Sequence, residues 1–153
     1  MKTVCTCLAT LLIAAATATA ADVAFGPRAG FTHDSGFDQF HFGGHAMLAN
    51  LTANVHIVPS LEVGVGDGTL FAANGDVVYE FTEYASNGWS FYAGGGPMLG
   101  HYTKDGHDST DFALNLVVGA TYDLTQSREL LTEIRLGVED APTVKLTAGL
   151  TFF

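Results

Sequence analysis

The chain is poor in the residues on which many small exported domains depend. Its only cysteines, Cys5 and Cys7, lie at the very start. Downstream of them disulfides, thiolate metal sites and cysteine nucleophiles are therefore excluded. Basic residues are also scarce, with six Lys and Arg against sixteen Asp and Glu and a formal net charge of −10. So acidic a chain, lacking any basic cluster, is a poor partner for nucleic acid. Beyond the N-terminal region no apolar run approaches the roughly 20 residues that a membrane-spanning helix needs. Hydropathy alone would class the chain as soluble, but that test is blind to β-barrels, whose strands carry a much weaker signal.

What is present begins with an export signal. Lys2 supplies a short positive region, Leu8 to Ala16 an apolar one, and Ala18-Thr19-Ala20 a small-x-small cleavage pattern. Residues 1–20 read as a signal peptide and 21–153 as one domain, with cleavage after Ala20 or Ala21. No apolar stretch precedes Cys5 or Cys7, so neither suits a lipoprotein, and both leave with the signal. The fixed cations that remain are Arg28, Lys104, Arg128, Arg135 and Lys145.

The mature region alternates with a period of two. From Pro142 onward, Val144, Leu146, Ala148, Leu150 and Phe152 share one face, and Lys145, Thr147, Gly149 and Thr151 the other. The same rhythm sets Phe25, Pro27, Ala29 and Phe31 against Arg28, and Phe40 and Phe42 against His41 and His45. It sets Leu61 and Val63 against Ser60 and Glu62, and Phe71, Val77 and Tyr79 against Asn74, Asp76 and Glu80. Phe112, Leu114, Leu116 and Val118 oppose Asn115, and Ile134 and Leu136 oppose Glu133, Arg135 and Glu139. A glycine-rich strand from Trp89 to Tyr102 completes a set of eight. Short connections imply an up-and-down meander, and an even count lets it close.

Which face points inward decides between a soluble barrel and a membrane one. The polar faces are sparsely charged and rich in small residues, whereas the apolar faces carry the aromatics. Those aromatics gather at two rims: Tyr79, Phe81, Trp89, Tyr122 and Phe152 at one, Phe31, Phe40, Phe42, Phe71 and Phe112 at the other. The expected fold is all-β, an eight-stranded antiparallel up-and-down transmembrane barrel, greasy outside and polar within. Eight strands leave a lumen that side chains can fill. Charges of both signs on the polar faces, Arg28, Glu62, Asp76, Glu80, Glu133, Arg135, Glu139 and Lys145, are expected to form a lumen network.

Register expectations follow from the turns. A three-residue loop Asp67-Gly68-Thr69 would set Glu62 opposite Asn74 and diagonal to Asp76, where the carboxylates repel. A loop Asp140-Ala141-Pro142 would set Arg135 opposite Thr147 and Glu139 diagonal to Lys145 at the rim. His33 to Gln39 and Thr103 to Thr110 read as polar loops at one end of the barrel. Thr52 to Asn54, Glu83 to Gly88, Thr125 to Ser127 and both chain ends then lie at the other end.

With its signal, strand rhythm, Tyr92-Ala93-Gly94-Gly95-Gly96 stretch and terminal Gly149-Leu150-Thr151-Phe152-Phe153, the chain resembles the small outer-membrane barrels of Gram-negative bacteria. This is the group that contains OmpX and the membrane domain of OmpA. The resemblance covers the whole mature region. It implies an outer-membrane location with both chain ends toward the periplasm, contact with membrane lipids and lipopolysaccharide, and monomeric assembly. It also implies passage through periplasmic chaperones to the outer-membrane assembly machinery, which reads the last strand. Leu150, Phe152 and Phe153 are the corresponding C-terminal assembly signal here, with Phe153 one step out of phase.

Residues suited to chemistry are few. His41, His45 and His56 share the polar face, but His41 and His45 lie about 13 Å apart along their strand, too far for one zinc ion. They read as lumen filling. His33-Asp34-Ser35 and His107-Asp108-Ser109 resemble the His-x-Ser of PagL-type lipid A deacylases, yet no glutamate follows at the family's interval. A His-Ser pair without its orienting acid is half a catalytic unit. The acidic loop around Asp105, Asp108 and Asp111 lacks EF-hand spacing and reads as solvated. Gly64, Gly66 and Gly68 precede no helix and read as tight packing. No catalytic residue, metal site or cofactor is expected. The favoured function is non-enzymatic, in envelope structure or surface interaction. The alternative, a reading that Gly94 to Gly96 support, is a narrow pore for ions or small solutes, and a lipid A-modifying enzyme ranks below both.

Overall fold

A computed structural model describes residues 23–34, 37–138 and 142–153. Eight antiparallel strands follow one another in order: β1 (Ala24–Asp34), β2 (Phe37–Thr52), β3 (Val55–Gly66), β4 (Thr69–Glu80), β5 (Trp89–Lys104), β6 (His107–Thr125), β7 (Arg128–Val138) and β8 (Val144–Phe152). Each pairs with its neighbour and β8 returns to β1, so the sheet closes into a barrel with no free edge. Both ends of the domain lie at one end of the barrel, called here the terminal end. The β1–β2, β3–β4, β5–β6 and β7–β8 connections mark the distal end.

The burial pattern is that of a globular protein turned inside out. Along β4, Leu70, Ala72, Asn74, Asp76 and Val78 are buried, while Phe71, Val77 and Tyr79 are exposed. Leu61 and Phe112 stand 68% and 67% exposed, whereas Arg135, Lys145 and Asp76 are each 1% exposed. So large an exposed apolar surface has no place in water, where contiguous patches rarely exceed a few hundred Å². Aromatic contacts cluster at the terminal end, where Trp89 lies 4.9 Å from Tyr122, Tyr79 5.2 Å from Phe81, and Phe25 6.4 Å from Phe152.

The strands run further, and the connections are tighter, than the alternation suggests. The loops expected over His33–Gln39 and Thr103–Thr110 are largely strand, since Asp34 pairs with Phe37 and Lys104 with His107. Where both faces of a ladder meet water, apolar alternation fades although the hydrogen bonding continues. Asp105 and Gly106 both have positive φ, 51° and 77°, as a two-residue type I′ hairpin requires. Asn87 and Gly88, at 54° and 80°, form the same turn at the terminal end after a one-turn 3-10 helix, Thr82–Tyr84.

Two registers differ from expectation. Thr69 belongs to β4 and pairs with Val65, so Glu62 faces Ala72, while Asp76 faces Val58. That slip of two residues separates the two carboxylates by about 13 Å along the strand, and the expected repulsion does not arise. In the β7–β8 pair Arg135 faces Lys145, and Thr147 faces Glu133. Lys145 is consequently deep in the lumen and not at a rim, and Glu139 lies outside the described residues.

Candidate functional site: the barrel lumen

Six buried charges cross the lumen in alternating sign. Lys145 donates to Glu62, whose other oxygen lies 3.2 Å from Nε of Arg28. Nη2 of Arg28 donates to Glu133 at 2.5 Å, and Glu133 also accepts from Nη2 of Arg135 at 3.1 Å. That same Nη2 of Arg135 lies 2.8 Å from Asp76. The residues come from β8, β3, β1, β7 and β4, so the chain of ion pairs ties opposite walls together. Three cations meet three carboxylates. An unpaired charge here would carry a desolvation cost of several kcal/mol.

The eight residues expected to form the network thus divide. Arg28, Glu62, Asp76, Glu133, Arg135 and Lys145 meet directly. Glu80 stands apart near the terminal end, 3.4 Å from His56, and Glu139 is not among the described residues. The shared inward phase of these side chains is visible in the sequence. Their pairing is not, because it depends on the two registers and on contacts such as Arg28–Glu133, 105 positions apart.

Neutral groups fill the lumen toward the distal end. His41 bridges Thr32 at 2.8 Å and Thr147 at 3.0 Å. Asn74 donates to Ser60 at 3.1 Å and accepts from Asn115 at 3.3 Å. Leu70, Ala72, Met98 and Ala113 pack as an apolar cluster beside them. A second cluster, Val58, Val78, Tyr92, Val117 and Leu131, lies on the terminal side. These inward apolar residues escape a reading that assigns every polar residue inward and every apolar one outward. They occupy the inward phase of their strands, and that phase was the signal available.

The glycines of β5 have a packing role. Gly94 and Gly96 face inward, but a Cβ at either would strike the backbone carbonyl of Val77 or Gly75 on β4. They allow strands to approach closely where a small barrel coils tightly.

Side chains proposed for chemistry stay dispersed. His45 contacts Thr151 at 3.0 Å and His56 contacts Glu80, and among the described residues no three potential metal ligands converge. Ser109 donates to Asp111 at 2.9 Å, while the His107 ring contacts the Asp105 carbonyl at 3.3 Å. This Ser-His pair is therefore engaged with other partners. Ser35, from the first His-x-Ser, lies outside the described residues. At the C-terminus Leu150 and Phe152 are partly exposed and Phe153 is exposed.

No protein-family model matches the chain, and no curated protein matches it in sequence. Solved structures do resemble it. The N-terminal β-barrel domain of Pseudomonas aeruginosa OprF superposes with a TM-score of 0.67 at 15% identity, covering 84% of this chain and 96% of that one. Neisserial surface protein A (NspA) gives 0.64 at 17% identity, covering 85% and 94%. The Yersinia pestis outer membrane protein Ail in a phospholipid nanodisc gives 0.54 at 11% identity, covering 86% and 99%. At these identities the likeness concerns the backbone. Closed eight-stranded topology, inverted burial and these neighbours together give the chain the fold of the small outer-membrane β-barrels.

Proposed function

We propose that this chain is a monomeric, non-enzymatic integral protein of a Gram-negative outer membrane, serving envelope structure or surface interaction. On this reading residues 1–20 direct export and are removed. Leu150, Phe152 and Phe153 then present the C-terminal signal to the assembly machinery, and the outward residues meet membrane lipid and lipopolysaccharide. The observation that carries the reading is the inverted barrel, with Leu61, Phe112 and Val118 outward and an alternating chain of buried charges within. The plugged lumen favours a structural or surface role over transport. A conducting path would have to part the buried contacts of Glu133 with Arg28 and Arg135, giving up attraction that offsets the burial of these charges.

The distal end is assigned to the outside and the terminal end to the periplasm. The test uses the absence of cysteine from the mature region. Single cysteines at Asp105 and at Ser127 are exposed in intact cells to a maleimide too bulky to cross the outer membrane. Labelling at Asp105 alone is expected, and labelling at Ser127 alone reverses the orientation. In planar bilayers the purified barrel is expected to be silent. Regular unitary conductance would favour the pore.

A further inference from the structure

Between the ion pairs and the terminal end, the barrel encloses a cavity of about 610 Å³. Asp76 and Glu133 form its floor, Val58, Val78 and Leu131 its walls, and Val23, Glu80, Glu129 and Phe153 its mouth. A cavity of this size lies within the usual range for small-molecule sites, roughly 300–1,000 Å³.

Charge in the cavity is one-sided. Four carboxylates line it and, among the described residues, no lysine or arginine does. Asp76 and Glu133 are neutralised from behind by Arg135 and Arg28, and Glu80 approaches His56. Glu129 differs. No described cation pairs with it, and although its carboxylate accepts from the Thr121 hydroxyl, its Oε1 is buried without a hydrogen-bond partner. The neighbouring Arg128 instead lies over the Phe152 ring, 5.9 Å from its centre.

A second, independent feature points into the same space. Tyr92 lines the cavity and is 8% exposed, yet its hydroxyl has no partner among the described residues. Its ring lies across Gly119, its cross-strand neighbour, where a Cβ would collide with it. Nδ1 of His56, also in the lining, is likewise unpartnered. Buried polar atoms are nearly always satisfied, so such a group of orphans asks for a ligand.

We infer that this cavity binds a small organic cation, a primary amine carried on an apolar body. The ammonium group donates to Glu129, while the body packs between Val58, Val78 and Leu131, beside Tyr92. A bare metal ion fits less well, because no three ligands converge and the walls are apolar. The inference requires only the barrel and is independent of its role in the envelope.

The experiment places the full mature barrel in nanodiscs of phosphatidylcholine, a lipid without a primary amine, and follows backbone amides by NMR. Tryptamine is the probe, and tryptophol, its uncharged analogue of similar shape, is the control. Saturable shifts are expected at Val58, Val78 and Leu131 with tryptamine, and about tenfold weaker binding with tryptophol, the typical worth of a charge-assisted contact. Glu129→Gln is expected to weaken tryptamine by a similar factor, and Leu131→Trp to abolish its binding by filling the space. Folding of both variants is checked by the gel shift between boiled and unboiled samples. The inference is overturned by equal affinity for the two probes, by Glu129→Gln binding as the parent does, or by shifts that never saturate. The comparison of probes uses the unaltered chain, so it decides even if a variant fails to fold.

Discussion

Replacing Arg135 with methionine removes the cation that serves two carboxylates while keeping much of the volume. Asp76, 1% exposed, would lose its only ion-pair partner among the described residues, at 2.8 Å. Glu133 would lose a contact at 3.1 Å but keep Arg28 at 2.5 Å. The damage therefore falls chiefly on Asp76, and breaking a buried pair from one side costs about 3–5 kcal/mol. With a urea dependence of about 1–3 kcal/mol per molar, the unfolding midpoint in lipid vesicles should fall by about 1 M or more. Adding Asp76→Asn should recover most of that loss. The four charges left, Lys145, Glu62, Arg28 and Glu133, still alternate and sum to zero. Coupling between residues in contact is read from the full cycle of single and double variants. An unchanged midpoint for Arg135→Met would mean that the lumen is open and solvated. Losses that simply add would mean that Arg135 does not stabilise Asp76, and the alternating-charge account would fail.

Leu116, 56% exposed near the middle of β6, tests which solvent surrounds the barrel. In water Leu116→Arg would change stability by no more than about 0.5 kcal/mol, whereas near a bilayer midplane it should cost roughly 2–4 kcal/mol. Folding yield into vesicles, compared with that of the parent, separates the two. At the distal hairpin Gly106, at φ 77°, should tolerate alanine poorly, with a loss of about 1–2 kcal/mol. Gly75, around which a Cβ would meet nothing within 4 Å, should instead gain about 0.4–1 kcal/mol on the same substitution. The urea midpoint should fall for Gly106→Ala and hold or rise for Gly75→Ala, and the reverse order would refute the turn assignment.

For every strand but the glycine-rich β5, the alternation of residues was enough to tell which face points inward. Side chains alternate with a period of two, and that phase follows the residues whatever the register. Arg28, Glu62, Asp76, Glu133, Arg135 and Lys145 could all be assigned to one interior, and eight such segments implied closure. Both register errors were slips of two residues, which preserve the face and change only the neighbour. For that reason the fold was legible although Glu62 was set opposite Asn74 instead of Ala72. Who meets whom is settled by the closed fold. The partners of Arg28 come from β3 and β7, and that of Lys145 from β3, brought within reach by closure and by turn lengths that composition leaves open. The cavity was hidden for the same reason. Val58, Val78, Tyr92 and Leu131 look in sequence like ordinary apolar strand residues, and only closure turns their shared phase into one wall.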